Sequence, residues 1–350
     1  MPEHYSDDTV TLMCGDALEE TRLLPSGSIQ TIVTSPPYYG LRDYGTEGQM
    51  GAEDTVEGYV AGMVALFREL RRTLADDGTL WLNLGDSYAT RWGSTRTRSK
   101  IDPFDTDRSR RPLPAGTVAK NLLLIPARVA LALQDDGWIL RSEIIWAKPN
   151  PMPESVTDRP AKSHETIYLF AKSHSYYYDA AAVAEPVTQS TLDRLSQNVE
   201  AQAGSIRANG GAKTNGTMKA VGGKSWRDRE YDQSMLPAGM QQNGKKGRPI
   251  GSVDPGLETR NRRTVWTVPT VPFSEAHFAV YPPELIRPCV LAGSRPGDTV
   301  LDPFSGSGTT GMVATQEGRK YIGFDLNPEY LDLSLRTRFA QPSLNLGALA

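Results

Sequence analysis

Four residues at the end of an apolar run carry the sharpest chemical signal in the chain: Ser35, Pro36, Pro37 and Tyr38. Consecutive prolines hold the backbone extended and remove two N–H donors, which leaves the Pro36 carbonyl facing outward as a fixed acceptor. The Ser35 hydroxyl adds a second acceptor beside it, and Tyr38 supplies a flat apolar face. A planar ring bearing an exocyclic NH2 group suits this set, with one acceptor for each amine proton and one ring for stacking. Accepting both protons draws the nitrogen lone pair out of conjugation and aims it at an incoming methyl group. Such catalysis works by positioning and electrostatics, with no covalent intermediate. Taken alone, the tetrapeptide also reads as a strand-ending turn with a solvent-facing tyrosine.

A second constellation lies near the other end. Asp302, Pro303 and Phe304 lead into Ser305, Gly306, Ser307, Gly308, Thr309 and Thr310, between an apolar strand pattern and a helix pattern. Glycines there let backbone approach a ligand, and a helix N-terminus offers free N–H groups. Asp325 ends the next strand pattern, where a carboxylate can accept both hydroxyls of a ribose. The turn has neither the GxGxxG spacing of a dinucleotide site nor the GxxxxGK[ST] of a phosphate loop. Its Asp-Pro-Phe opening suits a zwitterionic amino-acid end, which places a methyl donor ahead of a dinucleotide. The two cysteines, Cys14 and Cys289, and the four histidines show no metal-ligand spacing, so no metal is expected. Cys289 reads as a packed core thiol.

The elements that must hold these residues alternate. Strand patterns fall at 9–13, 28–34, 79–84, 138–146, 165–171, 299–302 and 321–325, and helix patterns at 57–74, 122–134, 283–291 and 309–317. Val60, Met63, Val64, Phe67 and Leu70 share one helical face, and residues 76–78 close that helix. This rhythm predicts an α/β fold, a doubly wound and mostly parallel sheet. With 350 residues, the chain has room for one large α/β domain and a smaller inserted one. The polar start, residues 1–8, reads as no signal peptide, and no apolar run is long enough for a membrane span, so a cytoplasmic protein is expected.

Charge is uneven although the net is only -3. Residues 91–111 hold seven Lys/Arg against three Asp, and residues 187–264 hold 13 Lys/Arg against 7 Asp/Glu. Two basic segments on an acidic body suit docking on a polyanion, and solvated surface loops equally. The segment 146–151, Trp-Ala-Lys-Pro-Asn-Pro, is a rigid strand exit that lines the pocket for the planar ring or is a plain turn.

Together these segments resemble the amino-methyltransferases of DNA, which methylate cytosine N4 or adenine N6. Residues 33–45 resemble the catalytic motif, 301–310 the methyl-donor loop, and 323–330 the ribose-binding strand end. Residues 277–285 resemble the segment closing over the donor's methionine part, with His277 and Phe278 at its start, and 14–19 resemble the strand whose acid, Asp16, reaches the donor's adenine. The catalytic motif precedes the donor loop, as in the circularly permuted beta group, whose fold is Rossmann-like. The resemblance thus implies a catalytic half at 1–185, a target-recognition insert at 186–264 and a donor-binding half at 265–350. It implies S-adenosylmethionine as cofactor, double-stranded DNA as partner, and a flipped target base stacked on Tyr38, with Tyr39 and residues 40–45 shaping the pocket. A cognate restriction endonuclease and a homodimer are further expectations from relatives. A leading serine favours cytosine N4, with adenine N6 as the alternative. An enzyme acting on protein or RNA amines, and an inactive DNA-binding relative, are the rivals.

Overall fold

The computed structural model describes residues 3–40, 49–89, 113–188, 259–271 and 280–339. In chain order the elements are β1 (Glu3–Ser6), β2 (Val10–Cys14), α1 (Ala17–Leu23), β3 (Ile29–Thr34), α2 (Val56–Thr73), β4 (Leu74–Leu84), α3 (Ile125–Asp135), β5 (Ile139–Ala147) and β6 (His164–Ala171). After these come β7 (Glu185–Pro186), β8 (Thr259–Arg260), β9 (Val265–Thr267), α4 (Pro283–Gly293), β10 (Thr299–Asp302), α5 (Thr309–Gln316), β11 (Lys320–Asp325), α6 (Pro328–Ser334) and a π-helical turn, Leu335–Phe339. Two compact units result: Met1–Val183 with Arg263–Ala350, and Ala184–Arg262. In the second, β7 and β8 pair antiparallel and Glu185 forms an ion pair with Arg260.

The first unit is built on one nine-stranded sheet in the order β1-β2-β11-β10-β3-β4-β6-β5-β9. Strands β2, β11, β10, β3 and β4 run parallel, and β6 runs antiparallel to both its neighbours. Every residue of β3 is buried, because alternate side chains enter different cores. Ile32 joins Leu80 and Leu82 under α2 and α3, while Val33 joins Trp81 under α4 and α5. The late strand β10 inserts beside the early β3, pairing Leu301 with Ile32. That placement brings segments from opposite ends of the sequence to adjacent tips. The sheet is the α/β, Rossmann-like arrangement expected from the alternating pattern.

Differences from the sequence reading have local causes. Residues 76–78 do not stand between helix and strand, because β4 starts at Leu74 and pairs with Ile29 across an irregular register. On α2 the buried stripe includes Tyr59 and Leu66, while Val60 and Val64 sit at its half-buried border. The seven-residue α1 is too short to show a periodicity; its start is set by the Asp16 cap. Cys289 is buried in α4, as a core thiol should be. Among the described residues no helix is long and apolar enough to cross a membrane.

Packing of α4 on the sheet depends on a missing side chain. A Cβ on Gly293 would stand 2.6 Å from Thr31 Oγ1, 2.8 Å from Thr79 Oγ1 and 2.9 Å from Trp81 Nε1. Gly293→Ala is therefore expected to lower the unfolding free energy by about 1–3 kcal/mol through overpacking. Chemical denaturation checks this; an unchanged midpoint would refute the contact.

Candidate active site

The site begins with a buried carboxylate. Asp302, at the tip of β10, is 1% exposed. Its Oδ1 accepts hydrogen bonds from Thr34 Oγ1 at 2.7 Å and from the Phe304 N–H at 3.0 Å. Its Oδ2 accepts from Thr310 Oγ1 at 2.6 Å and from the Tyr281 hydroxyl at 3.0 Å. Burial pushes this carboxyl above the usual aspartate range, against the pull of those donors. Thr34 is the residue immediately before Ser35, so the bond ties the proline turn to the glycine loop.

Beyond Thr34 the proline turn is fixed from several sides. Pro36 is buried, and Ser35, Pro37 and Tyr38 are half-buried. The Tyr59 hydroxyl of α2 donates to the Pro37 carbonyl at 2.9 Å, and Ser87 Oγ donates to the Tyr39 carbonyl at 3.1 Å. Tyr39 faces the core, its ring 5.6 Å from that of Tyr59. Residues 41–48 lie outside the described residues.

Tyr38 makes contacts that the sequence did not foretell. Its hydroxyl donates to Glu165 Oε2 at 2.6 Å, and Ser35 Oγ donates to the Tyr38 hydroxyl at 3.3 Å. Asn83 Nδ2 lies 2.9 Å from the Tyr38 oxygen, 3.0 Å from Glu165 Oε2 and 3.2 Å from Ser35 Oγ. That amide has two hydrogens and serves two of the three at a time. The reversed amide would turn Oδ1 against the carboxylate, which fixes its orientation. Lys148 pairs with Glu165 Oε1, and the two side chains are 17% and 15% exposed. Lys148 also lies 4.1 Å from the centre of the Trp146 ring. Burial pushes Glu165 upward, but the charge and hydrogen bond of Lys148, with the bonds from Tyr38 and Asn83, hold its carboxyl below the usual glutamate range. Segment 146–151 thus delivers Lys148 to this cluster.

Across the tip, the glycine loop divides its labour. Gly308 (φ 76°) caps α5, and a Cβ there would stand 2.7 Å from Ser334 Cβ, so this glycine serves helix packing. Gly306 (φ 50°) has only the Phe304 carbonyl near its missing Cβ, at 3.9 Å. Its N–H donates to Asp325 Oδ2 at 2.8 Å, and the Asn327 N–H donates to Oδ1 at 2.9 Å. Thr309 and Thr310 are buried. Asp16, exposed at the end of β2, accepts the Leu18 and Glu19 N–H groups through Oδ1 and so caps α1. His277 and Phe278 lie outside the described residues.

Carboxyl ends of parallel strands at one sheet edge, carrying a glycine loop with an acid on the next strand, define a doubly wound nucleoside-type site beside a Ser-Pro-Pro-Tyr turn. The DNA methylase family, N4 and N6 methyltransferases together, matches over residues 29–336, and the chain belongs to it. Type II methyltransferase M.XycI of Xanthomonas campestris pv. cyanopsidis is 45% identical over 324 residues, covering 93% of this chain and 86% of that protein. Type II methyltransferase M.SmaI of Serratia marcescens is 41% identical over 323 residues, covering 92% and 88%. Among solved structures, the PvuII DNA methyltransferase (cytosine-N4-specific) superposes with a TM-score of 0.59 at 18% identity, covering 98% and 90%. A putative DNA modification methylase of Thermus thermophilus, solved with S-adenosyl-L-methionine, gives 0.50 at 21% identity, covering 94% of each chain. Both structures share the fold.

Gly85, just after β4, sets the seat of the Tyr38 ring. A Cβ there would stand 2.4 Å from Tyr38 Cε2. Gly85→Ala should therefore displace the ring and lower methylation at least tenfold, with donor affinity within about twofold of the parent. Radiolabel transfer and calorimetric donor titration check the two halves; full activity would refute the contact's importance.

Proposed function

We propose that this chain transfers a methyl group from S-adenosylmethionine to the N4 amine of a cytosine in double-stranded DNA. The observation that carries the reading is the Ser35–Tyr38 turn bolted through Thr34 and Asp302 to the glycine loop. A base amine and a methyl donor then sit at neighbouring strand tips, which is the positioning that such a transfer needs. Ser35 Oγ and the Pro36 carbonyl accept the two amine protons, and Tyr38 stacks on the flipped ring. Serine in place of aspartate at position 35 supports cytosine N4 over adenine N6.

The residues present fit the donor. Asp325 offers a carboxylate to the ribose hydroxyls, Gly306 leaves open space where a side chain would intrude, and Phe304 lies half-buried beside it. Asp302, Thr309 and Thr310 hold the loop from behind, and Asp16 keeps Oδ2 for the adenine amine. For the methionine part the family resemblance assigns His277 and Phe278. Bound S-adenosylmethionine supplies an electrophilic methyl group on sulfonium sulfur. The basic residues of 186–264 meet the DNA phosphates and target sequence, and those of 91–111 add a second basic contact. A restriction endonuclease of matching specificity and a second copy of the chain are the further partners of this reading.

Nucleoside mass analysis of DNA treated with the protein should show N4-methylcytosine. N6-methyladenine would replace the cytosine assignment, and no methylation at all would overturn the enzyme reading.

Donor binding should also depend on pH. Burial pushes Asp325 up to about 6, against the Asn327 and Gly306 N–H bonds. Its ionised form is the better acceptor for hydroxyls, so affinity rises as pH climbs through that value and levels off above it. Calorimetry should find binding about tenfold weaker near pH 5 than near pH 7.5, as follows from the ionised fraction. Asp325→Asn should flatten the profile; a parent affinity independent of pH would contradict the ribose role.

A further inference from the structure

The amine that takes a methyl group must then lose a proton, and a serine hydroxyl is no sink for it. We infer that Glu165 receives this proton through the hydroxyls of Tyr38 and Ser35. The inference rests on the amine-methylation reading above and adds to it a positioning residue that acts through two others.

The donors point one way. Ser35 Oγ donates to the Tyr38 hydroxyl, and Tyr38 donates to Glu165 Oε2 at 2.6 Å. With its hydrogen committed to Tyr38, Ser35 Oγ presents only lone pairs to an amine. The chain ends on a carboxylate that Lys148 and Asn83 hold ionised, ready to accept. Among the described residues a second ammonium faces Glu165, that of Lys162, and it donates to the Asp86 carbonyl at 2.7 Å.

The step balances. The nitrogen lone pair becomes the new N–C bond, the pair of the broken C–S bond stays on sulfur, and nitrogen carries the positive charge. An N–H bond then breaks with its pair returning to nitrogen. Its proton passes to Ser35 Oγ as the Ser35 proton passes to Tyr38 and the Tyr38 proton to Glu165 Oε2. Both hydroxyls end as they began, and Glu165 ends neutral. A methylated ring amine with its extra proton is a far stronger acid than a carboxylic acid, so a lowered carboxylate still suffices as acceptor. The layout also explains why a neutral serine can lead this turn, since the carboxylate stands two hydroxyls behind it.

Single-turnover methylation of DNA at saturating donor tests the relay. Glu165→Gln and Tyr38→Phe should each slow the transfer about 100-fold, the range of lost acid–base assistance, with donor affinity unchanged. Tyr38→Phe leaves the buried ion pair intact, so it stands as the test if Glu165→Gln fails to fold. Lys148→Met supplies a readout that a merely structural role would not move. Without the ammonium, burial raises Glu165, so the rate profile should gain an acid limb that the parent lacks over the same pH range. The limb should vanish in Lys148→Met/Glu165→Gln. Parent-like rates in both Glu165→Gln and Tyr38→Phe, or a Lys148→Met loss equal at every pH, would overturn the relay. An unmodified protein that methylates nothing would instead overturn the functional reading on which it rests.

Discussion

The Thr34–Asp302 hydrogen bond is the contact on which this site depends. It joins residues 268 positions apart in sequence at 2.7 Å, and a buried carboxylate cannot release a donor without a cost of about 1–3 kcal/mol or more. Four donors converge on Asp302, from β3, the glycine loop, α5 and Tyr281. Each comes from a different segment, so the carboxylate holds the proline turn and the glycine loop in register. The carboxylate is therefore spent on geometry, whereas Asp325 on the next strand accepts backbone N–H groups.

The sheet supplies the other half of the arrangement. Parallel strands place Ser35, Gly85, the 302–310 loop and Asp325 at one edge. Reversal of β6 then brings its first residues, not its last, to that edge, with Thr166 opposite Leu84. Glu165 thus reaches Tyr38 from a strand that begins where its neighbours end, and β5 delivers Lys148 from the other side. Two glycines make room for close approach: Gly85 under the Tyr38 ring and Gly308 against α6.

Much of this was legible in the sequence where the signal is local. The proline turn and the glycine loop announce themselves because their residue types restrict the backbone within a few positions. The alternating pattern gave the α/β class, and the order of motifs placed the chain in its family. Asn83, Glu165 and Tyr281 were not legible, because each sits in a run that reads as ordinary strand or connection and acquires its role only by strand pairing. Lys148 lies in a segment whose prolines dominate its local signal. What the sequence does not show is how the loop holds itself: Asp302, Thr309 and Thr310 are buried, and Asp302 and Thr310 bond each other. Nor does it show that the positive φ of Gly308 and its closeness to Ser334 also serve packing. Sequence spacing cannot distinguish a loop's front from its back.

The most direct test of the account is a structure of the protein bound to a non-reactive donor analogue and target DNA. A cytosine should be flipped out of the duplex, its N4 within hydrogen-bond reach of Ser35 Oγ and the Pro36 carbonyl. The donor ribose should lie on Asp325, with the Thr34–Asp302 bond intact. An amine held elsewhere, or a donor that displaces Thr34 to bind Asp302 directly, would contradict it.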